Sequence, residues 1–174
     1  MINIAPQRFQ LKSNEILTIK VPKISDAAGI LKHINQVSGE SNNLTFGKGQ
    51  FDITLEQEQK FLKSLGKNYR GIMMIGEING EIISVGDIRY GNRPRIAKTG
   101  EIAISVQKKH WGKGVGTYMM KKLINWGKNH GLRKINLSVR SDNNRAFKLY
   151  KKLGFKKEGE QSRGLYIQNE FYPL

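Results

Sequence analysis

Residues Ile102 to Thr117, IAISVQKKHWGKGVGT, restrict what this chain can fold into more than any other stretch. The apolar run Ile102 to Val106 reads as a strand, and Gln107 to His110 as a polar, basic turn. Trp111-Gly112-Lys113-Gly114-Val115-Gly116 follows. Val115, Met119, Leu123 and Trp126 then recur three or four residues apart, the period of one helix face. Strand, glycine-rich turn and helix start, in that order, favour an anion. Glycines let the backbone approach a ligand, the first-turn N–H groups are unpaired, and the helix dipole and Lys113 add positive charge. A phosphate-bearing ligand is the expected occupant, held by Gly112, Lys113, Gly114, Val115, Gly116 and Thr117. A triphosphate loop requires Ser or Thr directly after Gly-Lys, and Gly114 stands there. A dinucleotide fingerprint requires G-x-G-x-x-G, and the spacing here is G-x-G-x-G. The plain alternative is a helix start that merely packs closely on a sheet.

About one strand beyond this helix lies Asn143-Asn144-Arg145-Ala146-Phe147-Lys148-Leu149-Tyr150-Lys151-Lys152-Leu153-Gly154-Phe155. Together the two stretches resemble the GNAT superfamily of N-acetyltransferases. That family carries an (Arg/Gln)-x-x-Gly-x-(Gly/Ala) turn, a strand, then Asn-x-x-Ala-x-x-x-Tyr-x-x-x-Gly-Phe. Gly114 and Gly116 match the first motif, and Asn143, Ala146, Tyr150, Gly154 and Phe155 match the second. Trp111 departs from the pattern, standing where Arg or Gln is common. The family's phosphate contacts in this turn are largely backbone ones, so the departure is expected to alter the rim and not the activity.

The resemblance covers most of the chain from about Ile16 and implies a mixed α/β fold. The expectation is a strongly twisted mixed β-sheet of about seven strands with helices on both faces. It implies one domain over residues 1–174, with 1–15 as an N-terminal extension, and acetyl-CoA as cofactor. A chain of 174 residues is long enough for one such domain with a real core. Without an apolar run long enough for a membrane span or a signal peptide, the default location is cytoplasmic. Absence of cysteine excludes disulfides, thiolate zinc sites and a cysteine nucleophile, leaving direct attack of an amine on a thioester as the simplest acyl transfer. His33, His110 and His130 lack metal-ligand spacing, and His130 before Gly131 reads as a partner of a helix C-terminus.

Charge is unevenly placed. Residues 106–157 hold fifteen of the 30 Lys and Arg and a single acid, Asp142, so this segment carries +14 of the net +16. A polyphosphate cofactor uses part of that charge and solvated helix faces another part. Contact of the basic half with RNA or the ribosome is the remaining option, and a basic nucleic-acid- or ribosome-binding module on the same fold is the alternative function. The chain is expected to act as a monomer or homodimer.

In chain order, Ile16 to Val21 reads as a strand closed by Pro22, and Ser25 as the cap of a helix carrying Ala27, Ile30, Ile34 and Val37. Ser38 to Gly49 is a loop, with Glu40 and Phe46 as candidate substrate contacts. Thr54-Leu55-Glu56-Gln57 is a capping box opening a second helix. Arg70 to Ile78, Asn79-Gly80 and Glu81 to Tyr90 form a hairpin, since Asn-Gly supplies two positive-φ residues. Lys134 to Arg140 reads as a buried strand, Asp142 or Ser141 as the next cap, and Phe155 to Gln161 with Gly164 to Tyr172 as a closing strand pair.

What the resemblance implies for the chemistry can be stated by residue. The strand ending at Val106 splays from its neighbour, and the pantetheine arm pairs with main-chain groups near Ile104 and Val106. A backbone N–H near Val106 serves the oxyanion. Tyr150, a phenol protonated at neutral pH, donates to the departing sulfur. Asn143 binds the arm or orders the site, the alternative being a helix cap. Members that acetylate protein N-termini place Glu where Ser138 stands here, so that base does not carry over. Glu101 is the candidate base, one residue out of the register in which other members keep a glutamate, with a water chain as the alternative. The acceptor is a primary amine: a protein N-terminus, a polyamine or another small amine. Net charge disfavours a cationic small molecule unless Glu40, Asp52 or Asp87 make an acidic pocket.

Overall fold

Asn79 and Gly80 adopt φ of 50° and 80°, the paired positive angles of a tight two-residue turn, and close the central hairpin of the sheet. Its strands are β3 (Gly71–Ile78) and β4 (Glu81–Tyr90), as their period and the turn predict. The computed structural model describes residues 4–65 and 69–174. β1 (Gln7–Gln10) and β2 (Ile16–Lys20) precede the hairpin, and β5 (Thr99–Val106) and β6 (Lys134–Asn136) complete a six-stranded sheet in the order β1-β2-β3-β4-β5-β6. All neighbours are antiparallel except β5 and β6. β7 (Leu165–Ile167) and β8 (Glu170–Tyr172) form a separate two-stranded sheet.

Two helices cover one face and one the other. α1 (Ala27–Ser38) and α2 (Leu55–Ser64) bury Ala27, Ile30, Ile34 and Leu62 against Met73, Ile75 and Ile82. α3 (Val115–Asn129) lays Val115, Met119, Met120, Leu123 and Trp126 on the opposite face, against Leu17, Ile72, Met74 and Ile88. Met119, Met120 and Leu123 are fully buried, each such side chain stabilising by about 1.5–3 kcal/mol. Gly86 lets the helix settle onto the sheet, since a Cβ there meets Leu123 Cδ1 at 3.0 Å and Ala103 O at 3.2 Å. α4 (Asn144–Lys152) follows β6 and turns Tyr150 and the neighbouring Leu153 toward the α3-side core.

Several local expectations need correction. Gln7–Gln10, read as part of an extension, pairs with β2 as an edge strand. A 3₁₀ turn over Ile24–Asp26 precedes α1, so Asp26 and not Ser25 sits at the helix entrance. The strand expected over Lys134 to Arg140 pairs only over Lys134–Asn136; beyond it the chain leaves the ladder, and even the paired residues are largely exposed. Asn143 caps α4, its Oδ1 accepting from Ala146 N–H at 3.2 Å, while Asp142 pairs with Arg140. Phe155 to Gln161 is not a strand, and Gly164 to Tyr172 is itself a hairpin, turning at Gln168 and Asn169 with φ of 51° and 66°. The Thr54 capping box forms as expected, Thr54 Oγ1 accepting from Gln57 N–H and Gln57 Oε1 from Thr54 N–H. No helix among the described residues is long and apolar enough to cross a membrane.

Candidate functional site

β5 pairs with β4 from Gly100 to Val106 but with β6 only at Thr99, Gly100 and Glu101. The two parallel strands therefore part after Glu101. Tyr90 N–H bonds back to Arg70 O, and Gln107 N–H donates to Ile83 O. These contacts set the alternation: Glu101, Ala103 and Ser105 turn their backbone groups to β4, and Ile102, Ile104 and Val106 turn theirs to the parted edge. Val106 O at that edge accepts from Trp111 Nε1 at 2.7 Å.

At the end of β5 the chain enters the glycine turn. Gly112 and Gly114 take φ of 77° and 103°, conformations that a side chain strains. Gly114 is the N-cap of α3 and gives it no side-chain cap, so the first-turn amides keep their donors for a ligand. Lys113 is less free than expected, its Nζ lying 3.0 Å from Glu15 Oε2. Another cation stands close by instead. The Arg145 guanidinium lies 3.4 Å over the Trp111 ring, so the tryptophan that departs from the family pattern carries an arginine from α4 at the same turn. The pairing joins two segments and leaves no signal in either alone.

One cavity of about 760 Å³ runs from this turn along the parted edge to the loop after α1. It is lined by every site residue expected from sequence: Ile104, Val106, Gly112 through Thr117, Asn143, Tyr150 and Glu101. Glu40 and Phe46 also line it, and Asp87 does, whereas Asp52 is not among its lining residues. Its charges are mostly sorted. Lys12, Lys113, Lys121, Arg145 and Lys152 belong to the turn, α3, α4 and the adjoining N-terminal segment, and Glu40, Asp87 and Glu101 to the wall under α1 and its loop, where Arg89 beside Asp87 is the exception. The uncapped helix start, the positive-φ glycines and the cations fit the diphosphate of coenzyme A, and the cavity is of ligand size. Tyr150 is packed beside Phe155, with ring centroids 5.9 Å apart, and burial raises its phenol above the ordinary value of 10.0. It therefore stays protonated at neutral pH.

A buried polar pair adjoins the cavity. His33 of α1 is fully buried, and its Nε2 lies 2.8 Å from Ser105 Oγ on β5. Val85 O, the competing acceptor for that hydroxyl, is at 3.5 Å, so the proton is better used on Nε2. Burial lowers the imidazole from 6.5 to about 4. Below pH 6.5 the unfolded chain takes up a proton that the folded chain refuses until about pH 4, so stability falls as pH drops through this window. The His33 share of that loss is about 2–3 kcal/mol at pH 4.5. Urea unfolding at pH 7 and pH 4.5 is expected to show a smaller loss for His33→Gln than for the parent by that amount; equal losses would refute the assignment.

Known proteins resemble this chain in sequence and in fold. The model of the acetyltransferase (GNAT) family matches residues 40–155. Among curated proteins, the uncharacterized N-acetyltransferase YobR of Bacillus subtilis is 42% identical over 52 residues, which span 30% of this chain but only 21% of that protein. The uncharacterized N-acetyltransferase p20 of Bacillus licheniformis is 26% identical over 159 residues, 87% of this chain and 72% of that one. A GNAT-family acetyltransferase structure from Streptococcus pneumoniae superposes with a TM-score of 0.85 at 30% identity, covering 90% of this chain and 95% of its own. YncA, a protein from Salmonella typhimurium solved with acetyl-CoA, shares the fold with a TM-score of 0.75 at 18% identity, covering 90% of this chain and 89% of its own.

Proposed function

Because the chain belongs to the GNAT family of acetyltransferases, we propose that it moves the acetyl group of acetyl-CoA directly to the nitrogen of a primary amine. One observation carries the reading. A single cavity joins an uncapped, glycine-built helix start to a strand edge with open backbone groups and to a wall of carboxylates. In this reading the amides of Gly112 through Gly116 and the Arg145 guanidinium hold the diphosphate. The pantetheine arm runs from there back along β5, pairing with Val106 and Ile104. Because the thioester is the far end of that arm, Ile104 N–H serves the oxyanion, one step farther from the turn than Val106. Tyr150 supplies the proton that the departing sulfur needs. Asn143 fixes α4, and with it Tyr150, through its cap on Ala146 N–H. Glu101 lies three residues from Ile104, roughly 10 Å along an extended strand, so it reaches the reacting nitrogen only through water.

An amine acceptor agrees with the three carboxylates gathered on the α1 side of a chain whose net charge is +16. The test is incubation of the protein with acetyl-CoA and a polyamine, an aminoglycoside or an alanine-initiated peptide, following thiol release and the mass of the product. Thiol release that depends on one of these amines, with acetyl found on its nitrogen, is the expected result. Tight acetyl-CoA binding with transfer to none of them would contradict the reading.

A further inference from the structure

Asp87, which the sequence offers only as part of an acidic pocket, stands on β4 beside the stretch of β5 where the chemistry belongs. Its partner across the β4–β5 ladder is Ala103, the residue next to Ile104. Directly opposed residues share a face of the sheet with Cβ atoms about 5 Å apart. That face is the α1 side, where Glu101, Ala103 and Ser105 project, and Ala103 offers only a methyl group to fill the space before Asp87. Tyr69 Oη donates to Asp87 Oδ2 at 2.9 Å, and Arg89 Nε approaches the same oxygen at 2.7 Å. Among the described residues Oδ1 has no hydrogen-bond partner, and the side chain, 22% exposed, lines the cavity. One oxygen is thus anchored twice, while the other is left without a partner in a side chain that lines the cavity. Other groups on this wall are committed elsewhere: the Ser105 hydroxyl to His33, and Glu40 to Lys108 N–H at 2.6 Å.

We propose that Asp87 takes the proton from the acceptor amine as the carbon–nitrogen bond forms. This inference rests on the transferase reading above and on the thioester lying beside Ile104. The amine nitrogen attacks the thioester carbon, and Asp87 Oδ1 receives one N–H proton through a bridging water, since β5 lies between β4 and the parted edge. The carbon–sulfur bond breaks, and Tyr150 gives its phenolic proton to sulfur, leaving an amide and a free thiol. Asp87 then releases its proton to solvent, through water and Glu101 at the cavity edge, and Tyr150 recovers one, so the enzyme returns unchanged. Tyr69 and Arg89 act as positioning residues that hold the carboxylate in one rotamer. The groups facing Asp87 are Tyr69 from the segment before β3, Arg89 from its own strand and Glu101 from β5. His33 and Glu40 stand farther along the same wall. Burial raises the carboxyl and Glu101 adds to it, against the lowering by Arg89 and Tyr69. The acid limb of the rate profile belongs to this group: activity falls as Asp87 becomes protonated.

The experiment compares the parent, Asp87→Asn, Asp87→Glu and Glu101→Gln. The probes are acetyl-CoA with spermidine, with kanamycin and with an Ala-Ala dipeptide amide, each read as kcat and KM against pH and beside the calorimetric Kd for acetyl-CoA. Asp87→Asn is expected to lower kcat by roughly 10²-fold or more and to erase the acid limb, with the Kd within about twofold. Asp87→Glu keeps a limb at a shifted pH, and Glu101→Gln keeps the limb but moves it to slightly lower pH, since the Glu101 charge that helps raise Asp87 is gone. An unchanged Kd certifies the fold of each variant. Asp87→Asn retaining the parental profile, losing rate without any change in the limb, or Glu101→Gln erasing the limb would overturn the assignment. A parent that binds acetyl-CoA but acetylates none of the probes would overturn the transferase reading, and this inference with it.

Discussion

Gly114→Asp is expected to abolish acetyl-CoA binding while leaving a folded protein. Two effects act together at this residue. Its φ of 103° lies in a region that side chains adopt only under strain, about 1–3 kcal/mol. An added Cβ would meet nothing closer than the Tyr118 ring at 3.7 Å, so the strain is the main cost to the fold. The ligand pays more. A carboxylate would stand at the start of α3, where the amide donors and the dipole favour an anion, and would repel a diphosphate at contact distance. A ligand that binds only the folded state at about 100 times its Kd adds roughly 2.7 kcal/mol of stability. For a chain of this size that is a rise of several degrees in Tm. Thermal unfolding with and without acetyl-CoA should therefore show this rise in the parent and none in the variant. An equal rise in both would remove the glycine turn from the cofactor site.

Tyr150→Phe carries the second large effect. The substitution keeps the ring, its edge contact with Phe155 and its place in the core, and removes only the proton donor. A general acid contributes typically 10²–10⁴-fold, so kcat is expected to fall at least about 10²-fold, or roughly 2.7 kcal/mol of barrier. Acetyl-CoA affinity should stay within a few fold, because the phenol acts on the sulfur only as it departs. Burial raises this tyrosine above its ordinary 10.0, so the parent should lose activity through this group only at more alkaline pH. Steady-state rates of thiol release check both points. A variant within about threefold of the parent would leave the tyrosine a core residue and no more.

How far the sequence spoke depended on whether the determinant was local. The β3–β4 hairpin was legible because Asn79-Gly80 supplies the turn by itself, and α2 because Thr54 and Gln57 cap it reciprocally. The glycine turn and the Asn143 motif were legible as a resemblance, and their residues do line one cavity. The β6 strand was overread because the apolar alternation of Ile135, Leu137 and Val139 persists where the chain has already left the ladder. The β7–β8 hairpin was read as one strand because its turn uses Gln168 and Asn169 at positive φ, without a glycine to mark it. Contacts between distant segments were not legible at all. Trp111 and Arg145, His33 and Ser105, Tyr69 and Asp87 meet only through the fold. Such pairs decide the electrostatics of the cavity, so base assignment from the motif alone stopped at Glu101.

The central claim is that one cavity brings the thioester to Tyr150 along the parted edge of β5. A crystal structure of the protein with coenzyme A measures this directly, as the distance from Tyr150 Oη to the cofactor sulfur. The account predicts a hydrogen-bonding separation of roughly 3.5 Å, with the diphosphate on the amides of Gly112 to Gly116. A cofactor bound away from that turn, or a sulfur beyond about 6 Å from the phenol, would contradict it.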